Sequence, residues 1–219
     1  MFKIEKIVDL SFALTNDTQV YPGDPKPDIS VATTIENDGY NLHYVNLGSQ
    51  TGTHVDAPYH FLNEGATIDN INLKSFMGEG VIVRVTDKQA NKEITVEDIK
   101  PYENFFSPGK IVVFNTNWYK KNGSDAYYEH PYLSVEACEY LLGKGIKTMG
   151  IDAINLDPTG GDDFPVHDML AEANGIIVEN LANVDKIDFD NPFLIFLPLK
   201  LIGCDGSPVR AVAVKLAGC

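Results

Sequence analysis

An α/β fold, built on a mixed, partly closed β-sheet with helices packed outside it, is what this sequence predicts. Two strand–helix–strand passages in its second half imply parallel pairing, whereas the first 60 residues read as β-hairpins. An apolar fraction of 44% in 219 residues supplies a substantial core. No internal repeat or low-complexity linker interrupts the chain, so residues 1–219 are expected to form one domain.

Strand-like runs come first at Ile7–Leu14, Ile29–Thr34 and His43–Leu47. They continue at Gly80–Val85, Ile111–Asn115, Thr148–Ile151, Gly175–Val178 and Phe193–Leu199, and a last apolar run covers Val209–Val214. Each is short, rich in β-branched or aromatic residues, and bounded by turn formers. Tyr21-Pro22-Gly23-Asp24-Pro25 is such a turn. Between the strands, Thr95 can cap a helix over Val96–Ile99, with Asp98 near the capping-box position. Ser134 can cap Val135–Leu142, which Gly143 and Gly145 then end. His167–Ala173 reads as a short helix closed by Asn174-Gly175.

Charge narrows the function. A net charge of −14 repels nucleic acid and anionic membranes, and two arginines, Arg84 and Arg210, cannot form a phosphate-binding cluster. The three cysteines, Cys138, Cys204 and Cys219, lie far apart and match no zinc or redox spacing, which suits reduced thiols. Charges break every apolar run near the N-terminus, and Phe193–Leu199 is too short to span a membrane. The expectation is a cytoplasmic protein with neither a nucleic-acid nor a membrane partner.

Coordination chemistry concentrates in Gln-Thr-Gly-Thr-His-Val-Asp-Ala-Pro-Tyr-His, residues 50–60. If the segment is extended, Gln50, Gly52, His54 and Asp56 share one face, with Gly52 leaving room for a close approach. Pro58 then turns the chain and can swing His60 back over the same spot. Nitrogen and oxygen donors in this mixture suit Zn²⁺, Mn²⁺ or Fe²⁺. A second pair is available in His167, at the opening of a short helix, and Glu179, at the tip of an apolar strand where an unpaired carboxylate is costly. His43 and His130 read as surface or hydrogen-bonded core residues. Asp152 and Asp157 are either carboxylates behind the ligands or turn caps, with the cap preferred for Asp157.

At these residues the chain resembles the cyclase-like metal-dependent hydrolases that include bacterial kynurenine formamidase and isatin hydrolase. Their motif is His-x-Gly-Thr-His-x-Asp-x-Pro-x-His, and this chain matches it at Gly52, Thr53, His54, Asp56, Pro58 and His60. The likeness extends to Val8–Ser11, the Tyr21–Pro25 turn, Gly150–Asp152, His167, Glu179 and Cys204–Arg210. It implies a swivelling β/β/α fold, one or two divalent ions (Zn or Mn) and assembly as a homodimer or homotetramer. It also implies metal ligation by His54, Asp56, His167 and Glu179, with Asp56 bridging, and His60 as proton shuttle. The motif's first histidine is Gln50 here, a neutral and harder donor. It can bind Mn²⁺ or Mg²⁺, hydrogen-bond a water, or leave a position open.

The activity expected is hydrolysis of an amide, formamide or cyclic amide by metal-activated water. His60, ordinarily titrating near neutrality, moves the proton to the leaving nitrogen. No nucleophile elbow competes with this reading. Two rivals remain at this stage: a non-haem iron oxygenase on His54, Asp56 and His167, and a homologue that binds metal or ligand without turnover. Tyr21, Phe61, Trp118 and Tyr119 are candidates for an aromatic pocket. Arg210 either reaches a substrate carboxylate or braces the C-terminal strand.

Overall fold

Ile111–Asn115 is a run of five buried residues, and a strand apolar on both faces belongs inside a sheet covered on both sides. The computed structural model describes residues 3–217 and builds that sheet from nine strands. In chain order the strands are β1 (Lys3–Asp9), β2 (Asp28–Thr33), β3 (Leu42–Asn46), β4 (His54–Asp56) and β5 (Met77–Arg84), then β6 (Glu93–Ile94), β7 (Ile111–Asn115), β8 (Tyr132–Leu133) and β9 (Thr148–Ile151). The last four are β10 (Ile176–Glu179), β11 (Phe193–Ile195), β12 (Gly206–Pro208) and β13 (Val212–Ala217). Helices are α1 (Ile35–Asp38), α2 (Val96–Ile99), α3 (Val135–Gly143) and α4 (Pro165–Glu172).

The large sheet runs β1-β13-β11-β5-β7-β9-β10-β4-β12. Its centre, β5-β7-β9-β10, is parallel, as the two strand–helix–strand passages require, and both flanks are antiparallel. The expected partial closure follows from the C-terminal segment. On a flat sheet β12 and β13 would lie about 34 Å apart, at roughly 4.8 Å per strand. The chain between Pro208 and Val212 can span at most about 14 Å. The sheet therefore curls until its ends nearly meet, and the Phe12 N–H, just past β1, donates across the gap to the Thr53 hydroxyl, just before β4.

Two cores result. The outer one lies under α2, α3 and α4 and takes Val112 and Phe114 of β7 with Met149 and Ile151 of β9. The inner one draws Val55, Val113 and Val178 together with Leu194 and Ala213, side chains from both halves of the curled sheet. Alternation along β7 thus feeds both. The cap signals act as expected: the Ser134 hydroxyl accepts the Ala137 N–H, and Thr95 and Asp98 form a capping box.

Several expected boundaries shift for identifiable reasons. The first strand is Lys3–Asp9, not Ile7–Leu14, because its partner β13 ends at the level of Asp9. Phe193–Leu199 contributes only Phe193–Ile195 to the sheet; Pro198, lacking an N–H, makes an isolated bridge to Val209. The run expected at Val209–Val214 is divided at the gap between β12 and β13. Cys138 is buried and free, its thiol pushed up to about 12 by burial, and Cys204 is also free. Cys219 lies outside the described residues.

Candidate metal centre

The register of β4 against β10 creates the centre. Val55 opposes Val178 on the inner face, so His54, opposite Glu179, and Asp56, opposite Ile177, project to the outer face. His54 Nε2 lies 3.3 Å from Asp56 Oδ1 and 3.5 Å from Glu179 Oε2. His167, on the first turn of α4, brings its Nε2 to 3.4 Å from Glu179 Oε1 and 3.8 Å from Asp56 Oδ2. All four side chains are buried. His54, Asp56 and Glu179 can each offer a ligand atom, and these atoms lie within 4.8 Å of one another.

Both imidazoles are aimed. The His54 Nδ1–H donates to the Gly52 carbonyl at 2.8 Å, and the His167 Nδ1–H donates to Asp157 at 2.7 Å, so each Nε2 faces the carboxylates, where a cation can take the place of its proton. Asp157 also accepts the Val166 and His167 backbone N–H groups. It is thus both the expected cap, acting on α4 rather than on its own turn, and the carboxylate behind a ligand. This cap and Pro165 start α4 two residues earlier than the expected His167.

A divalent cation fits this donor set. Both oxygens of Asp56 are buried without a hydrogen-bond partner, which an anion in a dry site does not tolerate unless positive charge is held against it. Burial disfavours charge on His54 and His167. The neighbouring carboxylates outweigh it, raising His54 well above the usual histidine value and His167 to about 10. Burial likewise opposes the Glu179 carboxylate, yet the two histidines hold its pKa far below the usual range. The cluster demands cationic charge.

The extended alternation expected from Gln50 holds only over His54–Asp56. Residues 50–53 form a turn, Gly52 takes φ +65°, and a Cβ there would meet Leu14 at 2.4 Å, so the space expected at Gly52 is filled. Gln50 still reaches the cavity, by the turn. Its Nε2–H donates to Asp205 at 2.8 Å, which leaves Oε1 buried with no partner. Gly206 permits this: a Cβ there would stand 2.6 Å from both Gln50 Nε2 and the Val55 carbonyl.

His60 does swing back. Its Nδ1 lies 3.0 Å from Asp205, and its ring lies 6.4 Å from that of His167. Burial works against protonating His60, but the Asp205 hydrogen bond and the Asp56 charge raise its pKa overall. Asp205, held by His60, Gln50 and Ser49, stays ionised. Sequence reasoning gave Asp205 no role, although it sits beside the one residue, Gly206, whose missing Cβ makes room for Gln50.

A cavity of about 200 Å³ opens over these groups, with Tyr21, Phe61 and Phe164 as its aromatic wall. Trp118 and Tyr119 are not part of it. The former is buried in the outer core with its N–H on Ala126, and the latter bonds Asp185. Arg210 forks onto Asp9 at the surface and so braces the C-terminal segment. Asp152 is buried under Asn115, Thr116 and Asn117, supporting a loop. His130 is a buried, hydrogen-bonded core residue and His43 is exposed.

The chain is similar to several known proteins. The putative cyclase family model matches residues 8–158. Kynurenine formamidase of Bacillus mycoides (strain KBAB4) is 31% identical over 213 residues, 96% of this chain and 98% of that protein. Kynurenine formamidase of Geobacillus thermodenitrificans (strain NG80-2) is 28% identical over 95% and 97%. An isatin hydrolase solved with the product analogue thioisatinate superposes with a TM-score of 0.88 at 27% identity, over 96% of this chain and 92% of that one. A potential metal-dependent hydrolase with cyclase activity gives 0.80 at 28%, over 95% and 97%.

Proposed function

Because the chain belongs to the putative cyclase family, we propose that it is a metal-dependent hydrolase cleaving an amide, formamide or cyclic amide, acting on C–N bonds other than peptide bonds. The observation that carries this is the pair of buried Asp56 oxygens that lack any hydrogen bond and lie between two aimed imidazoles. His54, Asp56, His167 and Glu179 would hold one or two divalent ions, Zn or Mn, and the free Gln50 Oε1 is the further donor. Such an ion supplies a Lewis acid for the carbonyl and a water activated at neutral pH.

The chain's own groups do the rest. Gln50 holds Asp205, whose carboxylate accepts the His60 Nδ1–H and so orients the ring, and the His60 Nε2 takes the attacking water's proton and returns it to the leaving nitrogen. Tyr21, Phe61 and Phe164 pack an aromatic substrate and limit the access of bulk water. Two histidines and two carboxylates exceed the two-histidine, one-carboxylate set of the oxygenase reading.

The chain is taken to work as one domain, since one sheet lines both cores. Among the described residues no helix is long and apolar enough to cross a membrane. Assembly as a homodimer or homotetramer is supported by the β2–β3 hairpin. It has no fully buried residue and leaves Val31, Tyr44 and Val45 at least 60% exposed. Hydrolysis of N-formylkynurenine and of isatin by Zn- and Mn-loaded protein, assayed anaerobically, tests the activity. Turnover without oxygen is expected; turnover only with oxygen would replace hydrolysis by oxygenation.

A further inference from the structure

Asp24 stands in the wall of the catalytic cavity and belongs to none of the machinery described above. It ends the turn that begins at Tyr21, and the turn is closed by its backbone, with the Asp24 N–H on the Tyr21 carbonyl at 3.0 Å. Its carboxylate takes no part in the turn. Among the described residues it has neither a hydrogen-bond nor an ion-pair partner; burial, the two nearby histidines and the carboxylates of Asp205 and Asp56 make up its electrostatic surroundings. Nor does Asp24 join the convergent group formed by His54, Asp56 and Glu179.

Among the described residues no lysine or arginine lines the cavity; its cationic groups are the histidines, committed to Asp56, Glu179 and Asp205, and the ion they would hold. Both arginines are engaged elsewhere, Arg210 on Asp9 and Arg84 on Asn115 and the Ile187 carbonyl. A ligand carboxylate placed here would meet a like charge in a partly desolvated cavity, whereas a donor group would find a free acceptor.

Resting on the hydrolase reading, we propose that Asp24 is a specificity-determining residue. It accepts a hydrogen bond from an N–H or ammonium group of the substrate, and selects aromatic amides carrying a donor there over those carrying a carboxylate.

Three N-formylanilines bearing an aminomethyl, methyl or carboxymethyl group at the same ring position test this on the metal-loaded protein. Binding is read by calorimetry and hydrolysis by release of formate. The aminomethyl compound is expected to bind about tenfold more tightly than the methyl one, and the carboxymethyl compound about tenfold more weakly. Asp24→Asn should bring all three within about threefold of one another with metal content unchanged. The same order in Asp24→Asn, no order in the wild type, or loss of metal from the variant would each overturn the assignment. Binding in the expected order without hydrolysis would uphold Asp24 while removing the hydrolase reading beneath it.

Discussion

Glu179 faces His54 directly across the β10–β4 ladder, so a carboxylate and an imidazole more than a hundred positions apart in sequence emerge side by side. The chemistry of the centre depends on that register. A slip of one residue would turn Glu179 into the apolar inner core and bring Val178 among the donors. Fold and function share one determinant here: the apolar pair Val55 and Val178 fixes the pairing that assembles the donors.

His54→Ala and Asp56→Ala should therefore each abolish both metal content, by elemental analysis, and hydrolysis. In the wild type, an ion present at about 100 times its Kd contributes about 2.7 kcal/mol to stability. For a chain of this size, chelation should then lower Tm by roughly 5–10 °C. The two variants should show no such shift. Since His54 and His167 must lose protons to ligate, apparent metal affinity should rise from pH 6 to pH 8.

Asp157 combines two jobs, and one substitution weakens both. Asn keeps one carbonyl oxygen for an N–H but turns an NH2 toward the remaining donors and carries no negative charge for the His167 ring. Asp157→Asn should lower Tm and weaken metal affinity about 10-fold or more, read by competition with a chelator. Equal affinity would leave Asp157 with the cap alone.

His60→Ala should retain the metal and lose about 10²–10⁴-fold in kcat. Its pH behaviour has a definite sign. A general base acts in its neutral form, and burial notwithstanding, Asp205 and Asp56 raise the pKa of His60. Asp205→Asn removes part of that support. The acidic limb of the kcat/KM profile should move to lower pH, with a reduced plateau because the ring is no longer held. An unmoved limb would mean that another group sets it.

Legibility in the sequence followed the range of the interactions. The central strands, α3 and the capping box of α2 were readable because apolar runs and caps act locally. His54, Asp56 and His60 were readable because a three-residue strand and one proline bring them together. Asp205 was not, because its value comes from Gln50 and His60, about 150 positions away, meeting it over a glycine. Trp118 and Tyr119 misled for the converse reason: an aromatic after a strand looks the same in sequence whether it turns to the cavity, to the core like Trp118 or to a carboxylate like Tyr119.

Exposed apolar residues on the β2–β3 hairpin make assembly testable. Val31→Asp with Val45→Asp puts two charges at positions at least 60% exposed in the single chain, so fold stability should change little. Sedimentation should show a homodimer or homotetramer for the wild type and a smaller species for the variant. A wild-type monomer, or an unchanged variant assembly, would rule the hairpin out as the contact.

Gln50 offers the last discriminating substitution, because an amide and an imidazole differ in both softness and hydrogen bonding. With Nε2–H committed to Asp205, the free Gln50 Oε1 is a neutral oxygen donor of the kind Mn²⁺ accepts well and Zn²⁺ does not require. A histidine at position 50 can keep a ring N–H on Asp205 and turn its other nitrogen to the ion. Gln50→His should therefore bind at one metal per chain or better and move the Zn-over-Mn preference upward by about 10-fold, measured by competitive loading and elemental analysis. Activity separates the remaining readings. If glutamine belongs to the working design, the Mn-supported rate falls in Gln50→His; if it is a lesion that silenced the enzyme, the variant gains hydrolysis that the wild type lacks.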